Sequence, residues 1–247
     1  MNKRLTRLAL GTVQFGTNYG VSNKDGITHE QEVSEILKFA WEKGISLLDT
    51  APSYGKSEEV IGKNINNLSF KIVTKTSTFK KSKIEKSDAA QLKQTFNESL
   101  MRLNRPNIYG LLIHNVHNLL ADGGEYLWHT MNELKESGKV EKIGVSVYSP
   151  TEIDMILEKY KPDIIQLPTN VFDQRFIRNG HIRLLKRENI EIHCRSVFLQ
   201  GLLLMTPHEA PSYFDPIKLL IERYHSEINK YGMTPLSAAL VFIYSQP

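Results

Sequence analysis

Short runs rich in leucine and β-branched residues alternate along this chain with longer segments whose apolar positions recur every three or four residues. Those are the periods of buried strands and of helices packed on one face. The first run covers residues 8–11. Thr28, with Gln31 three positions on, reads as a capping box; Val33, Ile36, Leu37 and Ala40 follow at helical spacing, and Gly44 closes the segment. A strand over 45–49, a helix over 57–63 and a strand over 70–74 come next. Asp88 or Ser87 is placed to cap a helix whose Leu92, Phe96, Leu100 and Leu103 form one stripe. Residues 108–113 read as a strand, 126–137 as a helix ended by Gly138, and 140–145 as a strand. In Ser149-Pro150-Thr151-Glu152 a cap, a proline at the first helical position and a carboxylate at the third mark a helix start, with Ile153, Ile156 and Leu157 facing the core. Strands over 164–166 and 190–195 flank a helix over 182–187. An extra helix over 216–231 precedes a last one opened by Thr234-Pro235, with Leu236, Ala239, Leu240 and Ile243 on one face.

Strands separated by helices pair in parallel through right-handed crossovers. Seven such units without an intervening linker predict one domain over residues 1–247, an α/β fold of the TIM-type (β/α)8 barrel. A doubly wound open sheet would carry a glycine-rich turn after its first strand, and Gly11-Thr12-Val13-Gln14-Phe15-Gly16 lacks the spacing. No eighth unit follows the helix begun at Pro235. The barrel is therefore expected to be shortened after its seventh unit, leaving the edges of strands one and seven unpaired or covered by something else.

Composition narrows the class. Of 247 residues 40% are apolar and 23% charged, the balance of a globular protein. The net charge of +4 is small and scattered, which argues against a nucleic-acid partner while suiting an anionic cofactor. Cys194, the only cysteine, excludes an internal disulfide. His114 and His117 have no carboxylate at ligand spacing, so no metal site is expected. No apolar run approaches the ~20 residues of a membrane span, and the apolar stretch after the basic start is too short for a signal peptide. The expected setting is cytoplasmic.

Active sites of these barrels lie at the carboxyl ends of the strands. Polar residues expected there are Asp49 and Tyr54 after the second strand, Lys75 after the third and His114 after the fourth. Ser146, Gln166 and Arg195-Ser196 follow on the fifth, sixth and seventh. Asp49, Tyr54, Lys75 and His114 suit one chemistry. A phenol exchanges protons poorly at neutral pH unless a cation stabilises its phenolate; a carboxylate keeps a buried ammonium charged; a histidine can fix the geometry. Tyr54 would protonate a carbonyl oxygen as hydride reaches the carbon. No side chain supplies hydride, so a nicotinamide cofactor is required.

The chain resembles the aldo-keto reductase family along almost its whole length. The resemblance rests on Leu10-Gly11-Thr12, the stretch from Leu48-Asp49-Thr50 through Tyr54-Gly55 with Ser57-Glu58 after it, Ile72-Val73-Thr74-Lys75, Leu112-Ile113-His114, Ile143-Gly144-Val145-Ser146 and Phe198-Leu199-Gln200-Gly201-Leu202-Leu203. It implies a catalytic tetrad of Asp49, Tyr54, Lys75 and His114 and NADP(H)-dependent reduction of an aldehyde or ketone to an alcohol. It also implies cofactor contacts from Gly11, Thr12 and Asp49, from Ser146 and Gln166 on the carboxamide, and from Ser196, Val197, Phe198, Gln200 and Gly201 along the pyrophosphate. Val147 stands where the family often has Asn or Arg. Arg195 takes the place of an aromatic that stacks on the nicotinamide, and a flat guanidinium can stack similarly. The stretch from Gln166 to Arg175 resembles a branch found near sugar and polysaccharide genes, a hint of a sugar-related carbonyl substrate. The family's basic grip on the 2′-phosphate follows the eighth strand, so a non-catalytic or regulatory barrel with weakened cofactor binding is the competing expectation. A Schiff-base aldolase using Lys75 is a third.

Overall fold

The computed structural model describes residues 7–65 and 67–247. Seven strands form one parallel sheet in chain order: β1 (Ala9–Gly11), β2 (Leu47–Asp49), β3 (Lys71–Lys75), β4 (Ile108–Ile113), β5 (Val140–Ser146), β6 (Ile164–Pro168) and β7 (Glu191–Arg195). Around it run α1 (Glu30–Glu42), α2 (Ser57–Asn64), α3 (Lys86–Arg102), α4 (Val116–Leu120), α5 (Gly124–Glu136), α6 (Pro150–Lys159), α7 (Arg175–Arg178), α8 (His181–Arg187), α9 (Lys218–Lys230) and α10 (Pro235–Tyr244).

The sheet is curled. In a flat sheet β2 and β6, four steps apart, would be separated by about 19 Å, yet Gln166 Nε2 of β6 lies 2.7 Å from Asp49 Oδ1 of β2. This is the (β/α)8 barrel architecture with seven strand–helix units, and among the described residues no ladder joins β1 to β7. Burial follows from that opening. Central β4 is buried throughout, whereas β7 is half-buried along its whole length.

Alternation sorts the side chains. Leu48, Ile72, Leu111, Ile143, Ile165 and Leu167 point outward and pack against the apolar stripes of the helices, among them Leu37, Phe96, Met131 and Ile153. Leu47, Val73, Leu112 and Ile164 point inward and form a dry middle layer. Below it, towards the amino ends of the strands, the interior turns polar. Tyr109 and Lys142 both donate to Glu191 Oε2 at 2.5 Å, and His193 Nε2 lies 2.6 Å from Oε1. Burial works against the Glu191 carboxylate, but hydrogen bonds from His193, Lys142 and Tyr109 outweigh it and hold its pKa at about 2.

The elements agree with the periodicity, and two helix starts do not. Thr28 does not cap α1: its N–H donates to Gln14 O at 3.0 Å and the helix begins after His29, whose side chain makes no cap bond. Glu30 and Glu32 in the first turn favour the helix dipole instead. Neither Asp88 nor Ser87 is the cap of α3. That helix begins one turn earlier after Glu85, and Asp88 Oδ2 accepts the Glu85 N–H at 2.9 Å from the third helical position. The starts at Ser149 and Thr234 form as expected, with Thr234 Oγ1 accepting from Ser237 N at 3.1 Å. The extra helix is shorter than its pattern, because residues 212–217 form a separate 3-10 turn around Pro216.

Glu191 gives a pH test. Its folded pKa lies below the ordinary 4.5, so its contribution is complete above that value and is lost as pH falls towards 2. Glu191→Gln is expected to cost about 1–3 kcal/mol at pH 7, less than the ~3–5 kcal/mol of a broken fully buried pair because the side chain is 31% exposed. Urea unfolding between pH 4.5 and 2 should then show a flatter decline in the variant than in the wild type.

Candidate active site

Asp49 closes β2 and faces inward with Leu47. Lys75 closes β3 on the same side, and its ammonium donates to both Asp49 oxygens and to Thr50 O, each at 2.9 Å. All three ammonium donors are thereby satisfied in a residue only 2% exposed. From across the barrel Gln166 donates its amide to Asp49 Oδ1, while its Oε1 is buried with no partner among the described residues. His114, just past β4, is fixed by its backbone N–H donating to Thr76 Oγ1 at 3.2 Å. Burial first, then the Lys75 charge, lower the pKa of its ring to about 4 against the opposing pull of Asp49. At pH 7 the imidazole is neutral, and its buried Nδ1 has no hydrogen-bond partner among the described residues.

Tyr54 is placed by backbone packing. Gly55 sits at φ +56°, and a Cβ there would lie 2.3 Å from Gly16 O; a Cβ on Gly16 would lie 1.9 Å from Tyr54 O. The loops after β1 and β2 therefore press together with no space for a side chain at either glycine. Beneath them Thr12 Oγ1 donates to Asp49 O at 2.9 Å, Ser57 Oγ donates to Thr12 O at 2.9 Å, and Thr50 and Ser57 hydroxyls lie 3.1 Å apart. Buried Glu58 accepts from Thr74 Oγ1 at 2.6 Å and from Arg102 Nε at 2.9 Å, tying α2 to β3 and α3. The result holds the Tyr54 ring with its centroid 5.1 Å from Lys75 Nζ and 6.3 Å from the His114 ring, edge-on at 88°.

The sequence pattern of the Aldo/keto reductase family matches residues 7–247. The chain belongs to that family. It is 30% identical to the aldo-keto reductase YhdN of Bacillus subtilis (strain 168) over 177 residues, 68% of this chain and 51% of that protein. With the NADH-specific methylglyoxal reductase of Escherichia coli (strain K12) it shares 28% identity over 221 residues, 82% of this chain and 66% of that one. It thus spans half to two thirds of the length of these curated relatives. The solved structure of the glycerol dehydrogenase AKR11B4 from Gluconobacter oxydans superposes with a TM-score of 0.72 at 21% identity, covering 95% of this chain and 78% of that one. That likeness speaks to the fold alone.

Asp49, Tyr54, Lys75 and His114 thus meet at the carboxyl end of this aldo/keto reductase barrel, with Gln166 joined to them. Ser146 stands beside Gln166 in register and is buried. A Cβ at Gly11 would meet nothing within 4 Å, so that turn lies open, whereas the Thr12 hydroxyl is taken up by Asp49 and Ser57. Val147 is fully buried in the outer core. The Arg195 guanidinium lies 4.1 Å over the ring of Tyr148 and donates to Val147 O at 3.1 Å. Residues 196–201 form a tight loop in which Ser196, Leu199 and Gln200 all have positive φ. Gly16, Glu58 with Arg102, Tyr19 and Tyr148 carry parts of this end of the barrel that sequence reasoning assigned no role. Tyr19 and Tyr148 lie in loops without periodicity or motif. The contact at Gly16 had one signal, the pairing of two glycine-bearing loops at adjacent strand ends.

Gly55→Ala combines left-handed strain with a backbone clash and is expected to cost more than about 3 kcal/mol in urea unfolding. Gly26→Ala, at φ +79° with open space around it, is the control and is expected to cost about 1–2 kcal/mol.

Proposed function

We propose that this chain carries out NADP(H)-dependent reduction of an aldehyde or ketone to an alcohol, with Tyr54 as proton donor and Asp49, Lys75 and His114 as its partners. The observation that carries the reading is the Lys75 ammonium, clamped by Asp49 and Thr50 and lying 5.1 Å from the Tyr54 ring centroid. As the phenolic proton passes to the substrate oxygen, negative charge grows on the tyrosine, and a fixed cation in a site screened from water stabilises it. Asp49 keeps that cation in place. Neutral His114 can hydrogen-bond the carbonyl oxygen without adding a second charge.

A bound nicotinamide dinucleotide supplies the hydride. The residues present fit it. The partnerless Oε1 of Gln166 is an acceptor for a carboxamide N–H, with Ser146 adjacent, and the open turn at Gly11 admits a ribose. In the proposal the strained loop of Ser196, Val197, Phe198, Gln200 and Gly201 runs along the phosphates and offers them backbone N–H groups other than those of Leu199 and Gly201, which bond within the loop. Arg195 offers a flat cation beside it. Preference for NADPH is part of the proposal, and the relative named as NADH-specific makes a comparison of the two cofactors the natural measurement.

Tyr54→Phe is expected to lower kcat for a nitrobenzaldehyde by about 10²–10⁴-fold with cofactor affinity retained, and Lys75→Met by a similar factor. Rates like the wild type in Tyr54→Phe would remove that residue from its role. Quenching of NADPH fluorescence reads binding separately: silence at millimolar cofactor would favour the non-catalytic barrel, which the exposed β1 and β7 edges motivate. Because His114 titrates near 4, kcat/KM should show no break between pH 6 and 7, and its ring resonances should stay those of a neutral imidazole through that range.

A further inference from the structure

Arg195 is a cation at the barrel mouth that forms no ion pair with a carboxylate among the described residues. Glu191, His193 and Arg195 alternate onto the inner face of β7, and the first two bond within the interior, so the third emerges at the carboxyl end. Arg195 pairs in register with Pro168, two residues beyond the level of Gln166 and His193. Its guanidinium lies against Tyr148 on one face and is anchored to Val147 O. The only other bond it makes among the described residues is a long one, 3.5 Å, to Ser196 Oγ. No described carboxylate lies within ion-pairing distance of it: neighbouring Asp173 is held by Arg175 at 2.7 Å, and the Arg195 charge reaches it only at longer range. The other charged groups of the mouth cancel, since Lys75 is paired with Asp49 and His114 is neutral. The electrostatic influence of Arg195 reaches both His114 and the half-exposed Tyr19, which in turn senses Tyr54.

A guanidinium held flat by an aromatic ring, with free N–H groups along its edge, is preorganised for an oxyanion. We infer that Arg195, backed by Tyr148, reads an anionic substituent, carboxylate or phosphate, on the carbonyl substrate. The inference rests on the reductase reading and deepens it, because it names the substrate class of the same site. Stacking on a cofactor ring uses the guanidinium face, whereas ion pairing uses its edge, so the two roles are compatible. At the rim Tyr19 and Tyr148 are exposed and Arg195 itself is half-buried.

The test compares matched carbonyl pairs: 4-carboxybenzaldehyde against its methyl ester, and glyceraldehyde 3-phosphate against glyceraldehyde. In the wild type the charged member of at least one pair should have the higher kcat/KM, and the pair that responds separates a carboxylate from a phosphate. In Arg195→Gln the charged-to-neutral ratio should fall about 10- to 100-fold, whatever happens to the neutral rate, with Arg195→Lys between the two. Equal losses for charged and neutral members would overturn the inference. So would a loss confined to NADPH affinity, which would place the cation on the cofactor. Binding of 4-(hydroxymethyl)benzoate and glycerol 3-phosphate, followed by ligand-observed NMR, needs no turnover. Anion binding lost in Arg195→Gln with a catalytically dead wild type would keep the inference and sink the reductase reading; an active wild type whose ratios ignore Arg195 would do the reverse.

Discussion

Asp49 is held from three other strands at once, and the arrangement of the mouth depends on it. Its carboxylate takes two bonds from Lys75 on β3 and one from Gln166 on β6, while its carbonyl accepts from Thr12 just past β1. Only a curled sheet can bring those donors together, so the geometry of the site and the closure of the interior are one constraint. The ion pair also sets the electrostatics. Bound on both oxygens, the carboxylate neutralises a buried ammonium that would otherwise be very costly to keep charged.

The interior is layered. Leu47, Val73, Leu112 and Ile164 separate the Asp49–Lys75 pair above from the Glu191 cluster below. Each charged layer lies near an end of the barrel, where partial exposure lowers the desolvation cost, and the apolar layer holds the two out of hydrogen-bonding reach of each other. Lys142 therefore has Glu191, not Asp49, as its counter-ion, and its pKa is raised by that carboxylate and by Tyr109 against the lowering effect of burial. Nothing below the dry layer is placed to act on a carbonyl at the mouth.

Strands and helix faces were legible because burial on two faces leaves a simple signature: a run such as Ile108 to Ile113 is apolar throughout, and stripes such as Leu92, Phe96 and Leu100 repeat at the helical period. Asp49, His114, Ser146 and Gln166 were legible for the same reason, each being the first polar side chain after an apolar run. Helix starts were less so. Thr28 and Asp88 are residues of the right type, but a backbone bond to Gln14 and an earlier start at Glu85 claimed them for other tasks. Contacts between distant loops were harder to read: the one at Gly16 had only the glycines of two adjacent strand ends to mark it, and nothing local distinguishes Tyr148 from any other loop residue. The bond from Tyr109 to Glu191 spans 82 positions and joins strands that are not neighbours.

The unpaired edges of β1 and β7 bear on how the loop at 196–201 keeps its shape. Non-glycine residues in the left-handed region cost about 1 kcal/mol or more each and persist only where surroundings over-determine them. Here the Ser196 carbonyl is held by Asn170, the Gln200 carbonyl by Val21, and Gly201 abuts Ser22 so closely that a Cβ would lie 1.9 Å from its hydroxyl. Two of those restraints come from the loop after β1. The first and last strands are thus tied at their carboxyl ends by loop contacts although among the described residues no ladder joins them, and Arg7 lies over the Tyr244 ring of α10 near the start of β1. A loop strained in this way keeps its conformation only while the β1 side stays in place, so the shape of the proposed phosphate-facing backbone depends on contact across the opening of the sheet.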